Sequence, residues 1–163
     1  MWDAKGVTRM RTLLLVSVAF VLSAAAASAE TFTFTSKSTT VAQVGGPGPA
    51  GKPVGASHAT NEAEVVWASG TKTKSKGACM SWSAPPATGF SAQGMCNGTD
   101  ADGTKTFMVF SCTANEKGTE NDCWGRLTYV SGKNQGKVAT ASWHGKQTPD
   151  GKGGTAVGAG NMN

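Results

Sequence analysis

The chain has 163 residues, 15 basic and 10 acidic side chains for a formal charge of +5, and 39% hydrophobic residues. That length suits one domain with its own core and leaves little room for a second. The basic excess is modest and partly carried by the first residues, so it lacks the concentrated basic face of a nucleic-acid-binding protein, and no nucleic-acid partner is expected.

The N-terminus places Lys5, Arg9 and Arg11 ahead of an apolar run from Leu13 to Leu22, followed by Ala27-Ser28-Ala29. A charged start, an apolar middle and small residues at the end make the layout of a secretory signal peptide, with cleavage expected after Ala29. A start at Met10 leaves an equally good signal. The apolar run falls short of the roughly 20 residues that span a bilayer, so no stable membrane insertion is expected after cleavage. Taking residues 1–29 from the 163 leaves 134, with 12 basic and 9 acidic side chains and a net charge of +3. The expected location is secreted or periplasmic.

No segment of the remaining chain has sustained helical periodicity. β-Branched and aromatic residues recur in short runs separated by Gly, Pro, Asn, Asp and Ser, which is the pattern of an all-β fold. The expected strands are Thr31 to Ser36, Glu62 to Ser69, Gly77 to Ser83, Phe90 to Cys96, Lys105 to Cys112, Cys123 to Val130, Lys137 to Trp143 and Thr155 to Met162. Val44 to Ser57 is dense in Gly and Pro and reads as a long loop or flexible lead-in. Residues 30–61 are thus an N-terminal strand with a Gly/Pro-rich loop and 62–163 an antiparallel meander, together a single domain. Short turns such as Asp100-Ala101-Asp102-Gly103, Glu116-Lys117-Gly118-Thr119 and Pro149-Asp150-Gly151-Lys152 permit only antiparallel neighbours. About eight such strands close readily into an up-and-down β-barrel, which removes exposed edges.

An even number of cysteines in an exported chain makes disulfides the expectation. Cys79 and Cys96 flank one turn and Cys112 and Cys123 another, so each hairpin can be closed by its own bond. With no C-x-x-C pair, neither a zinc site nor a thioredoxin-like redox site is expected, and no cofactor is implied. Pairing Cys112 with Cys123 sets Phe110 opposite Gly125, Met108 opposite Leu127 and Thr106 opposite Tyr129. This apolar set assigns the cysteine face to the interior. Pairing Cys79 with Cys96 leaves its inward face open: a three-residue loop between Asp100 and Thr104, with Gly103 left-handed, puts both disulfides on one face, whereas a four-residue loop separates them. Asp102-Gly103 favours the three-residue loop.

Several patterns have a plain structural use. Asp100-Ala101-Asp102-Gly103 begins like a calcium loop but lacks the later ligands, so a hairpin turn is favoured. Asn97-Gly98-Thr99 matches an N-glycosylation acceptor, whose use depends on the host. Lys72, Lys74 and Lys76 alternate along one strand face and read as a solvated edge guarded against pairing. Glu62 and Glu64 share a face, a weak sign of paired catalytic carboxylates. His144 has no nucleophile arranged with it, and neither a G-x-S-x-G elbow nor an H-E-x-x-H motif is present. No catalytic residues are assigned.

Gly125-Arg126-Leu127-Thr128-Tyr129-Val130-Ser131-Gly132, with Gly136-Lys137-Val138-Ala139-Thr140-Ala141 and Trp143, resembles the C-terminal part of small secreted barrels of the allene oxide cyclase and dirigent type. Thr99-Asp100-Ala101-Asp102-Gly103 and Gly158-Ala159-Gly160 are similar to bacterial members of uncharacterised function. The resemblance implies an eight-stranded barrel with a central cavity and, in the plant members, cyclisation or stereochemical guidance of a hydrophobic substrate. None of their catalytic groups maps onto a residue here. The functional expectation is an exported, disulfide-stabilised barrel that binds a small apolar or aromatic ligand, with Trp82, Phe110, Trp124 and Trp143 as cavity walls. The alternatives are a cyclase or isomerase of the same architecture and a non-catalytic structural or surface-interaction protein.

Overall fold

The computed structural model describes residues 29–49, 53–84 and 89–163. Residues 1–28 of the leader expected at 1–29 lie outside them, as do residues 50–52 and 85–88. Eight strands follow in order: β1 Glu30–Pro47, β2 Pro53–Trp67, β3 Lys72–Ser83, β4 Ala92–Asp100, β5 Lys105–Ala114, β6 Glu120–Tyr129, β7 Val138–Gln147 and β8 Gly153–Met162. Each pairs antiparallel with its neighbour in sequence, and β8 pairs with β1, so the sheet is a closed up-and-down barrel. Both expected disulfides are present, Cys79–Cys96 and Cys112–Cys123.

The second hairpin has the register set by its cysteines: Cys112 faces Cys123, Phe110 faces Gly125, Met108 faces Leu127 and Thr106 faces Tyr129. The turn before it has three residues. Gly103 takes a φ of 84° and donates its N–H to the Asp100 carbonyl, while the Asp100 N–H donates to the Thr104 carbonyl. Asp102 Oδ1 accepts the Thr104 N–H at 2.9 Å and fixes the turn. Cys96 therefore lies opposite Met108, and both disulfides point into the lumen.

Two expectations need correction. Much of Val44 to Ser57 is strand rather than loop: β1 extends to Pro47 and β2 begins at Pro53, pairing through Val44 with Ala56 and Gly46 with Val54. Gly and Pro weaken a strand without forbidding it at a ribbon end, where few ladder bonds are required of them. Because β1 leaves β8 at Thr39 opposite Gly153, while β2 meets β3 only from Ala56 onward, this ribbon continues past the rim of the barrel. A bulge between Thr40 and Ala42 shifts the register, so that Gln43 lines the lumen after Ser36, Ser38 and Thr40 have done so. The second correction concerns Lys72, Lys74 and Lys76, which guard no edge in a closed sheet. They stand on the outer face opposite Val66, Glu64 and Glu62. Lys76 reaches Glu62 at 2.8 Å and Lys72 reaches Glu64 at 3.7 Å, which also places both glutamates outside the lumen.

Candidate functional site

Alternation along the strands decides what the lumen contains. Near one end, Tyr129, Ala139 and Met162 are buried, and Phe32, Trp67 and Leu127 pack on them. This end is filled. Trp67 donates its indole N–H to Thr73 Oγ1 at 3.1 Å, satisfying the polar edge of a largely apolar ring. Tyr129 is 7% exposed, and burial, together with the negative charges of Asp100, Glu30 and Asp102, pushes its phenol up to about 12.

Above this plug the rings form a chain. Phe32 stacks at 5.1 Å from Trp67 and 6.4 Å from Phe34; Trp143 lies 6.2 Å from Phe34 and 6.0 Å from Phe110. Each of these phenylalanines has a glycine opposite it on a neighbouring strand: Gly160 for Phe32, Gly158 for Phe34, and Gly94 and Gly125 for Phe110. A Cβ on Gly158 would come within 2.6 Å of the Phe34 ring, and one on Gly125 within 2.9 Å of the Trp143 ring. A narrow barrel can hold a layer of rings only where facing positions lack side chains, and that use offsets the strand-weakening cost of glycine.

Towards the other end the inward positions hold Ser36, Ser38, Thr40, Ser57, Ala59, Asn61, Ser81, Ala92, Asn121, Gly145, Gly154 and Ala156, together with the two disulfides. Side chains this small leave space, and a cavity of about 520 Å³ runs along the lumen, lined here by these residues and at the other end by Phe32, Trp67, Leu127 and Tyr129. Ser57 and Ser81 share a hydrogen bond at 2.8 Å, whereas the Asn61 Oδ1 is sealed from solvent and accepts no hydrogen bond from the described residues. Back at the closed end, near Tyr129, Asp100 also lines the lumen, paired across β3–β4 with Ser75. Desolvation raises its carboxyl above the usual range, against a hydrogen bond from Ser75 that lowers it.

Phe110 and Trp143 of the four expected wall residues face the lumen and touch each other. Trp82 and Trp124 do not. They are 39% and 53% exposed on the outer surface, because each has the parity opposite to its neighbouring inward cysteine. Phe32, Phe34, Trp67 and Tyr129 supply the remaining interior rings. The Thr-Phe-Thr-Phe-Thr alternation at residues 31–35 carried that signal for the two phenylalanines, since an alternating run hides one of its faces.

A second, shallow depression lies on the outside over β8, where Val157 and Ala159 are flanked by Glu64 and His144. His144 Nδ1 and Asp122 Oδ1 are 2.9 Å apart there. Among the described residues, no three His, Cys, Asp or Glu side chains cluster as a metal site. Asn97, the glycosylation acceptor, faces outward in the middle of β4, where its Oδ1 accepts the Ala78 N–H at 3.3 Å.

The fold and site define a closed, doubly disulfide-bonded antiparallel barrel with one filled end and one open mouth. No family model matches the chain, and no curated protein is significantly similar to it.

Proposed function

We propose that the protein is an exported binder of a small, largely apolar or aromatic molecule held in the open half of the lumen. The observation that carries this reading is the lumen cavity of about 520 Å³, whose wall includes the Phe34, Trp143 and Phe110 rings. A concave, mostly apolar site with a few polar groups is the usual form of a small-molecule pocket. An aromatic ring entering the mouth meets those three rings at its base, where edge and offset contacts are favourable. Hydroxyls from Ser36, Ser38, Thr40, Ser57 and Ser81 surround its outer part, so a ligand with one polar end fits better than a hydrocarbon. Two intact disulfides and the leader-like N-terminus support a secreted or periplasmic setting.

Trp143 reports on this cavity directly. In a Trp82→Phe/Trp124→Phe background, which removes the two exterior indoles, titration with a panel of aromatic alcohols and acids should give a saturable change in emission that Trp143→Phe abolishes. A panel without response would sink the reading.

One observation favours a second reading, a cyclase or isomerase of the kind the resemblance implies: Asp100 holds a partly desolvated carboxyl at the closed end of the same lumen, beside Tyr129 and beyond the ring layer. A carboxyl with a raised pKa keeps its proton nearer neutrality and can act as a general acid. That reading requires Asp100→Asn to bind ligand normally while losing all turnover of it.

A further inference from the structure

The outer surface is not uniform. On β3 to β6 the outward positions form a lattice of three rows, fixed by the strand registers. Met80, Met95, Val109 and Arg126 lie side by side; Trp82, Gln93, Ser111 and Trp124 form the next row towards the mouth; Ala78, Asn97, Phe107 and Thr128 form the next towards the closed end. The six large apolar side chains in this lattice are each 39–57% exposed. Within the barrel, the outward positions of β1, β2, β7 and β8 are more polar, carrying Thr33, Thr35, Lys37, Glu62, Glu64, Ser142, His144 and Lys146, with Val66, Val157 and Ala159 among the apolar exceptions.

We infer that this β3–β6 face is the interface of a homodimer, covered by the same face of a second copy. Three features of the patch support a protein partner of its own kind. First, the six side chains expose on the order of 600 Å², at the upper limit of what one patch on a monomer usually carries. With Gln93, Asn97, Ser111, Arg126 and Thr128 around them, the face approaches the ~800 Å² that each partner contributes to a standard interface. Second, the composition is that of an interface core: Trp, Met, Phe and Arg are enriched there and charge is depleted. β4 has no charged residue on its outer face; the outward lysines of β3 lie beyond the lattice towards the closed end, where Lys76 meets Glu62 of β2, and Glu120 and Asp122 of β6 turn to Lys146 and His144 of β7. Third, β3 to β6 are paired on both sides within the closed barrel, so association through this side falls to the sheet face; strand addition is open only to the β1–β2 ribbon beyond Thr39. Two such faces pack about 10 Å apart, and a two-fold axis lets one patch serve both copies. Met80 and Met95, being unbranched, can adjust to one another across the axis.

The test is sedimentation velocity of the intact, disulfide-bonded protein from low to high micromolar concentration. A dimer is expected, and Met95→Lys at the centre of the lattice should weaken it roughly 30-fold or more, the loss that accompanies removal of a hot-spot residue. Thr35→Lys, on the opposite side of the barrel, should leave it unchanged. Circular dichroism and non-reduced mass confirm that each variant is folded. Trp124→Ser provides a second disruption, and in the wild type Trp82 and Trp124 emission should shift to the blue as concentration rises. A protein that is monomeric throughout, or a dimer indifferent to both Met95→Lys and Trp124→Ser, overturns the inference. So does a monomer that sediments with anionic phospholipid vesicles and loses that property in Met95→Lys, which would assign the face to a lipid surface instead.

Discussion

At the closed end of the barrel Tyr129, Ala139 and Met162 are buried beneath Phe32, Trp67 and Leu127, whereas around the mouth the inward positions hold Ser38, Ser81, Ala92, Gly145 and Gly154. Backbone, pairing and alternation are shared by both ends. Side-chain volume alone separates them, and the ring layer of Phe34, Trp143 and Phe110 is the boundary. A barrel of eight strands has an interior just wide enough for side chains to fill or for one small ligand. This chain divides that space, using one half for stability and leaving the other open.

If the division is right, substitutions should differ in cost by position along the lumen. Met162→Ala, in the plug, should lose about 3 kcal/mol in urea unfolding, combining lost burial with a residual cavity. Gly94→Val, under the ring layer, should cost about 2 kcal/mol, because a Cβ there meets the Phe110 ring and comes within 2.5 Å of the Met80 carbonyl oxygen, which cannot yield without moving the strand.

The plug should also show itself in alkali. The Tyr129 phenol is raised from 10.0 to about 12 in the folded protein, so the folded state holds that proton more tightly than the unfolded chain. Its contribution is fully present below pH 10 and is lost as pH rises through 12, an effect on the order of 2 kcal/mol. Asp100→Asn, which removes one of the charges raising that phenol, should move its titration to lower pH. Spectrophotometric titration of this single tyrosine reads both. At the bottom of the scale, Ser36→Ala at the mouth should change stability by less than about 0.5 kcal/mol, since it neither opens a cavity nor breaks a hydrogen bond. A mouth substitution as costly as Met162→Ala would mean that the upper lumen is packed rather than open.

Much of this architecture was legible in the sequence wherever a covalent or turn constraint was local. The Cys112–Cys123 pair fixed one hairpin register, and Asp102-Gly103 fixed the loop length that carries the inward face across to Cys96. The same parity argument, followed one residue further, places Trp82 beside Met80 and Trp124 beside Arg126 on the outside, so their exterior position was available in principle. Other features were not local. That Phe32 and Phe34 find room opposite Gly160 and Gly158 depends on β8 closing onto β1, a contact between opposite ends of the domain. The long β1–β2 ribbon was hidden by composition, because Gly and Pro signal a loop whether or not a partner strand holds them in line. Asp100 looked like a turn residue and is one; that its carboxyl also faces the lumen follows from the three-residue loop turning it inward.

The open half of the lumen is tested most directly by a pair of titrations followed through Trp143 in the Trp82→Phe/Trp124→Phe background. One uses the native mouth and the other a mouth obstructed by Ser36→Phe, with Trp143 as the reporter in both. A saturable response to an aromatic ligand with the native mouth, and at least a tenfold weaker one when the mouth is filled, is the expected result. No response in either, or equal affinity in both, would contradict a binding cavity above the ring layer.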